Sequence, residues 1–105
     1  MTAAMTLQMR YDLSPTLARL LVLLALNQAV TMKMIRDELG ETKAVKVAMH
    51  RLRRRLAEIG LVVQSRRSIG YWLEKEDRER VLEDMKPDQL ELPLVGGGNG
   101  AARTA

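Results

Sequence analysis

The 105-residue chain contains no cysteine and only one histidine, His50. Without cysteine it can form neither a disulfide nor a thiolate metal site, which favours a reducing cytoplasm. His50 lacks a neighbouring carboxylate, and the glycine run "GGGNG" neither follows a predicted strand nor precedes a predicted helix. We therefore expect no enzymatic activity, no catalytic residue, no metal and no cofactor.

Long hydrophobic runs are also missing. The longest, "LARLLVLLALNQAV", contains Arg19 and is shorter than the roughly 20 apolar residues that cross a bilayer. No pattern of basic, apolar and small residues typical of a signal peptide precedes it. The sequence predicts a cytoplasmic protein that neither spans nor binds a membrane.

Positive charge is concentrated in one part of the chain. Residues 1–73 contain 12 Lys and Arg against 5 Asp and Glu, a net charge of +7, whereas residues 74–105 contain 5 against 8, a net charge of −3. A basic body with an acidic extension indicates an anionic partner for the body, most often nucleic acid or an acidic membrane surface.

Three helices are predicted in the basic body. In "LSPTLARLLVLLALN" Ser14 can cap a helix whose leucines follow helical spacing. In "TMKMIRDELG" Thr31 can cap a second helix and Gly40 can end it. The third helix, in "ETKAVKVAMHRLRRRLAEIG", begins at Glu41 or Thr42. The resulting link of about three residues is of the kind found in a helix-turn-helix.

The third helix separates apolar from basic side chains when its residues are placed about 100° apart. Its apolar side consists of Val45, Met49, Leu52, Leu56 and Ile59. Its opposite side consists of Lys43, Lys46, Val47, His50 and Arg54, with Arg51 and Arg55 flanking it. A charged run is by default a solvated surface, but four arginines within residues 51–55 have Glu58 as the only nearby acid. We expect the apolar side to pack in the core, the opposite side to bind an anion, and Arg53 and Arg54 to lie at the surface.

A β-hairpin is predicted after Gly60, where "LVVQSRRSIGYWL" places β-branched and aromatic residues on both sides of a polar centre. Arg66 and Arg67 lie near its tip, and Gly70 permits a bulge or a tight bend. A basic hairpin after a basic helix is typical of a wing. The predicted fold is mainly α with a small β-hairpin, a winged helix-turn-helix.

Three segments, "LSPTLARLLVLL", "VAMHRLRRRL" and "SRRSIGYWL", resemble the winged helix DNA-binding domain of OmpR/PhoB-type response regulators. The family's Leu-Arg-Arg-Lys-Leu run is matched by residues 52–56, and its Arg-Gly-Val-Gly-Tyr run is matched by residues 67–71. The resemblance implies that four residues approach bases in the major groove: Lys43, Lys46, Val47 and His50. It also implies that Arg51 and Arg54 lie close to phosphates and that Arg67 reaches the minor groove or backbone.

The sequence departs from this family in several places. It has no receiver domain, it has room for one strand at residues 7–11 rather than a small N-terminal sheet, and Ser68 replaces a glycine in the wing. The loop between the second and third helices, which contacts RNA polymerase in some family members, is unusually short. The short loop favours a repressor, an architectural protein or a competitor for sites.

The sequence predicts four regions: an N-terminal arm (1–12), the DNA-binding domain (13–73), an additional helix (74–86) and a disordered tail (87–105). The additional helix can pack back on the domain or form a homodimer, and the sequence does not decide between them. In the tail, "QLELPL" resembles the peptides that bind bacterial sliding clamps, which gives Gln89, Leu90, Leu92 and Leu94 as candidate partner-binding residues. The same segment could instead lie over the domain's own apolar surface.

Taken together, the sequence predicts a sequence-specific protein that binds double-stranded DNA and regulates transcription, in a bacterial or phage-encoded, nucleoid-associated setting. A replication-linked adaptor that joins DNA to a sliding clamp is the alternative. The DNA-binding residues expected are Lys43, Lys46, Val47, His50, Arg51, Arg54, Arg66 and Arg67.

Overall fold

The structure, a computed structural model, describes residues 2–40 and 45–86. In this part of the chain the helices are α1 (Ala3–Tyr11), α2 (Pro15–Leu26), α3 (Met32–Leu39), α4 (Val45–Ala57) and α5 (Lys75–Asp84), and the strands are β1 (Val63–Arg66) and β2 (Gly70–Leu73). The strands form an antiparallel pair. The coarse prediction of a mainly helical protein with a small hairpin is confirmed. Within these described residues, every helix is too short or too polar to cross a bilayer.

α2 is the centre of the fold. As the sequence predicted, Ser14 caps it by accepting a hydrogen bond from the N–H of Leu17 at 3.2 Å; Pro15 occupies its first turn. Its buried residues are Leu17, Ala18, Leu20, Leu21, Leu24 and Ala25. Because apolar side chains lie on most of its circumference, α2 packs against α1, α3, α4, α5 and β2.

The N-terminal segment forms helix α1, so the prediction of a strand at residues 7–11 is wrong. The hydroxyl of Thr2 accepts the N–H of Met5 at 3.1 Å and caps the helix, and Asp12 ends it in the left-handed conformation with φ 56°. Leu7 is fully buried in the same core as α2. A five-residue pattern is too short to distinguish a strand from one side of a helix, and packing against α2 decides between them.

The predicted ends of α3 are confirmed. Thr31 accepts the N–H of Met34 at 3.2 Å, and Gly40, with φ 87°, donates its N–H to the carbonyl of Arg36 at 2.7 Å. Four of the five residues expected on the apolar side of α4 are buried: Val45, Met49, Leu52 and Leu56. The fifth, Ile59, is only partly buried because α4 ends at Ala57. The predicted start of this helix at residue 41 or 42 lies outside the described residues.

The hairpin is attached to the segment that precedes α3. Val30 and Tyr71 exchange two backbone hydrogen bonds, of 2.7 and 2.9 Å, which add a short bridge to the outer edge of β2. Gly70 has φ 111° and lies so close to Val30 that a Cβ atom there would overlap the Val30 carbonyl oxygen. Glycine is therefore required at this position both by its backbone angle and by the close approach.

α5 packs back on the domain, which is one of the two arrangements that the sequence left open; formation of a homodimer stays a prediction. Among its apolar residues, Val81 is fully buried, Met85 is partly buried and Leu82 is exposed. Two carboxylates fix it in place: Asp84 accepts the hydroxyl of Tyr11 at 2.5 Å, and Asp77 accepts the N–H of Val62 at 3.1 Å. One continuous core therefore includes residues from α1 and α5 as well as from the predicted DNA-binding domain.

Candidate nucleic-acid interface

The side of α4 that faces away from the core presents one band of side chains to solvent. We call it the exposed stripe, and it consists of Lys46, Val47, His50, Arg51 and Arg54. These residues fall within about 140° of helix circumference because a helix turns about 100° per residue. The stripe lies opposite the four buried residues of α4, so its side chains are available to a partner without disturbing the core. The exposure expected from the sequence is therefore found at all five positions.

The positive charge of the exposed stripe is not neutralised from within the described part of the chain. There the salt bridges join Arg19 to Glu38, Lys33 to Asp37, Lys86 to Glu83, and Arg55 to both Asp12 and Glu58. None of them involves a residue of the exposed stripe. α4 itself contains no Asp or Glu, so its outward side has a single sign of charge. Such a surface attracts a polyanion, and the attraction weakens as salt is added.

The hairpin tip adds two more exposed cations. Arg66 is the last residue of β1 and Arg67 begins the turn, which closes with a hydrogen bond from the N–H of Ile69 to the carbonyl of Arg66 at 3.0 Å. Ser68 occupies this turn without a positive φ angle. The residue that needs the left-handed backbone is Gly70, and the serine at position 68 is therefore accommodated.

Arg53 holds the hairpin beside α4. The prediction that this residue lies at the surface is therefore wrong. The residue is only partly exposed, and its Nη2 donates to the carbonyl of Val63 in β1 at 3.1 Å. Its guanidinium also lies 5.6 Å from the ring centre of Tyr71 in β2, a cation–π distance. The side chain of Arg53 therefore joins the helix to the hairpin, and the exposed stripe and the hairpin tip lie on adjoining elements.

Arg55, which flanks the exposed stripe as the sequence predicted, is paired with neighbouring residues of the same chain. Its Nη2 donates to the carboxylate and the carbonyl of Asp12, at 3.0 and 3.2 Å, and its Nη1 donates to Glu58 at 3.3 Å. Asp12 ends α1, where carbonyl groups lack partners within the helix, and a cation there is favourable. Arg55 therefore stabilises the junction of α1 and α4.

The sequence did contain a signal for these two internal roles. Arg53 comes four residues after Met49 and three before Leu56, and Arg55 comes three residues after Leu52. Each is therefore next to the apolar side of α4, where a long side chain can lie along the core and reach a neighbouring element. What the sequence could not show is which carbonyl or carboxylate each guanidinium meets.

Five predicted site residues lie outside the described residues: Lys43, Gln89, Leu90, Leu92 and Leu94. The base contact expected of Lys43 and the clamp-binding role of the tail motif therefore stay predictions.

No protein-family model matches this chain, and no curated protein or solved structure matches it at a significant level.

Proposed function

We propose that this protein binds duplex DNA in a sequence-specific manner, as a winged helix-turn-helix with α3 and α4 as the helix-turn-helix and the β1–β2 hairpin as the wing. The observation that carries the proposal is the exposed stripe of α4, positively charged and without a described carboxylate partner, next to a hairpin with Arg66 and Arg67 at its tip.

The dimensions of α4 suit the major groove. Its 13 residues span about 20 Å at about 1.5 Å per residue, and the groove of B-form DNA, about 12 Å wide, admits one helix. Within the exposed stripe, arginines can neutralise phosphates, while Lys46 and His50 can hydrogen-bond to base edges. Val47, 49% exposed among these polar side chains, can contact the methyl group of a thymine.

The hairpin would lie alongside the same stretch of duplex. Because Arg66 and Arg67 lie at its exposed tip, they can reach the backbone or the minor groove while α4 occupies the major groove. The apolar side of α4 is buried in the core and is not free to enter a lipid bilayer. This burial favours a nucleic acid over a membrane as the anionic partner.

A repressor-like role in transcription is the form of regulation that we propose. α3 ends at Leu39, and the sequence predicts a link of about three residues before the next helix. In the family that the sequence resembles, a longer loop at this position can contact RNA polymerase. A protein with so short a link can still occupy a promoter and exclude other proteins from it.

Selection of bound sites from random duplexes tests the proposal directly. We expect an enriched motif, and a repeat of half-sites spaced by about one helical turn would show that the protein binds as a dimer. Duplexes recovered without sequence preference would contradict sequence-specific binding. Absence of any salt-sensitive duplex binding would contradict DNA binding altogether.

Matched arginine variants then locate the binding surface. Arg54→Ala in α4 and Arg67→Ala in the hairpin should each weaken binding to all duplexes. Each should also reduce the slope of the logarithm of the binding constant against the logarithm of the salt concentration by about one unit, because one phosphate contact is lost. Arg80→Ala is the control, since Arg80 is an exposed arginine of α5 with the same charge. An equal change in slope for all three variants would mean that only the net charge matters.

Variants of the proposed base contacts should behave differently. Lys46→Ala and His50→Ala should change which base pair is preferred at one position, with about 1 to 3 kcal/mol of discrimination lost for a good contact. Uniform weakening across all sites would instead assign these residues to the DNA backbone.

A further inference from the structure

The hairpin packs into the core through Val63 and Leu73, and two further attachments hold it to the rest of the domain. In the first, backbone hydrogen bonds join Tyr71 to Val30, and Gly70 packs against the same residue. In the second, the guanidinium of Arg53 reaches from α4 to both strands. The second attachment is the only one of the two that links the hairpin directly to the helix bearing the exposed stripe.

The contacts of Arg53 are distributed along the hairpin. Val63, whose carbonyl accepts its Nη2, is paired with Leu73 at the base of the hairpin. Tyr71, whose ring lies under the guanidinium, is paired with Ser65 one residue before the tip pair. One side chain therefore touches β1 near the base and β2 near the tip, and it opposes rotation of the hairpin relative to α4.

Stability alone does not account for an arginine at this position. The Nε of Arg53 is buried and has no hydrogen-bond partner in the described part of the chain. A buried donor without a partner is destabilising, and an apolar side chain of similar length would remove that cost. Arginine is distinguished instead by its geometry, because its planar group can donate to a carbonyl at its edge while its face covers an aromatic ring.

We propose that Arg53 is a positioning residue for DNA binding: it does not contact DNA, and it sets the angle between α4 and the hairpin so that Arg66 and Arg67 reach the duplex while α4 lies in the groove. This inference rests on the proposed function. It divides the four arginines of residues 51–55 into two that face the partner, Arg51 and Arg54, and two that hold the structure.

A double-mutant cycle on DNA affinity separates positioning from direct contact. In the wild-type background Arg67→Ala should weaken binding, whereas in the Arg53→Met background the same change should have little further effect, because the hairpin tip is already misplaced. The departure from additivity should be at least about twofold in affinity, as expected for coupled residues. Arg54→Ala combined with Arg67→Ala is the matched control and should be additive, since Arg54 does not touch the hairpin. Additive effects of Arg53→Met and Arg67→Ala would overturn the proposal and make Arg53 an independent contact.

Hydrogen exchange in the free protein provides a readout that does not depend on DNA. Arg53→Met should speed exchange of hairpin amides, including Tyr71, and leave amides within α2 unchanged, because the change loosens the hairpin locally. Unchanged hairpin exchange would overturn the positioning role. If the wild-type protein bound no duplex while hairpin exchange rose as expected, the proposed function would fail and the contact of Arg53 with the hairpin would stand.

Arg53→Lys tests whether charge alone suffices. Lysine keeps the positive charge but lacks the planar group that donates and stacks at once. We expect Arg53→Lys to resemble Arg53→Met both in the affinity cycle and in hairpin exchange. Wild-type behaviour of Arg53→Lys in both measurements would overturn the proposal, because the role of Arg53 would then be its charge and not its geometry.

Discussion

α4 and α5 are both highly charged helices, and they use their charges in different ways. α4 carries six Lys, Arg and His residues between Lys46 and Arg55 and no acid, and most of these basic side chains are exposed. α5 alternates signs, with five Asp and Glu among three Lys and Arg residues. The carboxylates of α5 are partly used inside the domain, where Asp77 bonds to Val62 and Asp84 to Tyr11.

The difference shows what a charged helix needs in order to serve a partner. A helix that alternates signs largely neutralises its own surface, and its charged groups can serve internal hydrogen bonds. A helix with a single sign creates an electric field that extends into solvent, and it must be held by its apolar side. α4 has four buried residues for this purpose, whereas α5 has one, Val81.

The largest expected effect is a loss of stability when a buried side chain that attaches α4 or α5 to the core is shortened. Leu52→Ala in α4 should lower the free energy of unfolding by about 2 to 5 kcal/mol, because Leu52 is fully buried and leaves a cavity. Val81→Ala in α5 should cost less, since a smaller side chain is removed from a helix with a single buried residue. Urea unfolding measures both changes. A greater loss for Val81→Ala would mean that α5, and not α4, is the main attachment to the core.

A smaller effect is expected at the hydrogen bond that joins α5 to α1. Burial raises the pKa of Tyr11, and the hydrogen bond to Asp84 and its negative charge raise it further, against weaker opposing effects of Arg80 and Arg10. A raised folded-state pKa means that the stabilisation is complete below the unfolded value of about 10 and is lost as pH rises through and above it. Tyr11→Phe should therefore lower stability by about 1 kcal/mol at neutral pH, the usual value of a buried hydrogen bond.

Urea unfolding at pH values from about 8 to 11 tests this assignment. The difference between the wild-type protein and Tyr11→Phe should narrow as pH rises above about 10, because Tyr11 then ionises in the unfolded wild-type protein while the folded protein keeps the proton. Asp84→Asn is a useful second variant, since it keeps an acceptor but removes the charge that raises the pKa of Tyr11. A difference that stays constant over this pH range would show that Tyr11 contributes by packing alone.

The smallest effect is expected at the ion pair between Asp12 and Arg55. Asp12 is almost fully exposed, with 94% of its side chain accessible, so Asp12→Asn should change stability by only about 0 to 1 kcal/mol. DNA affinity should stay unchanged apart from a slight general gain from the lost negative charge. A large selective gain in affinity would indicate that Arg55, once released, joins the exposed stripe, which would contradict its assignment to the α1–α4 junction.

Much of the fold could be predicted because local chemistry specifies it. Ser14, Thr31 and Gly40 mark helix ends through their own backbone and side-chain hydrogen bonds. The spacing of Val45, Met49, Leu52 and Leu56 placed them in the core. α1 could not be predicted in this way, because its short pattern fits a strand as well as a helix and only packing against α2 distinguishes them.

The same distinction between local sequence and tertiary packing applies to the candidate site. The sequence by itself determined the outward position of the exposed stripe, because a helix with one apolar side must turn its other side to solvent. Only the tertiary structure decided which arginines of residues 51–55 are available to a partner. Arg53 and Arg55 stand beside the apolar side of α4, and whether such a side chain extends into solvent or bonds internally depends on the carbonyls and carboxylates that other elements bring within reach. Those groups come from Val63, which is 10 residues from Arg53, and from Asp12, which is 43 residues from Arg55, so folding alone brings them into contact.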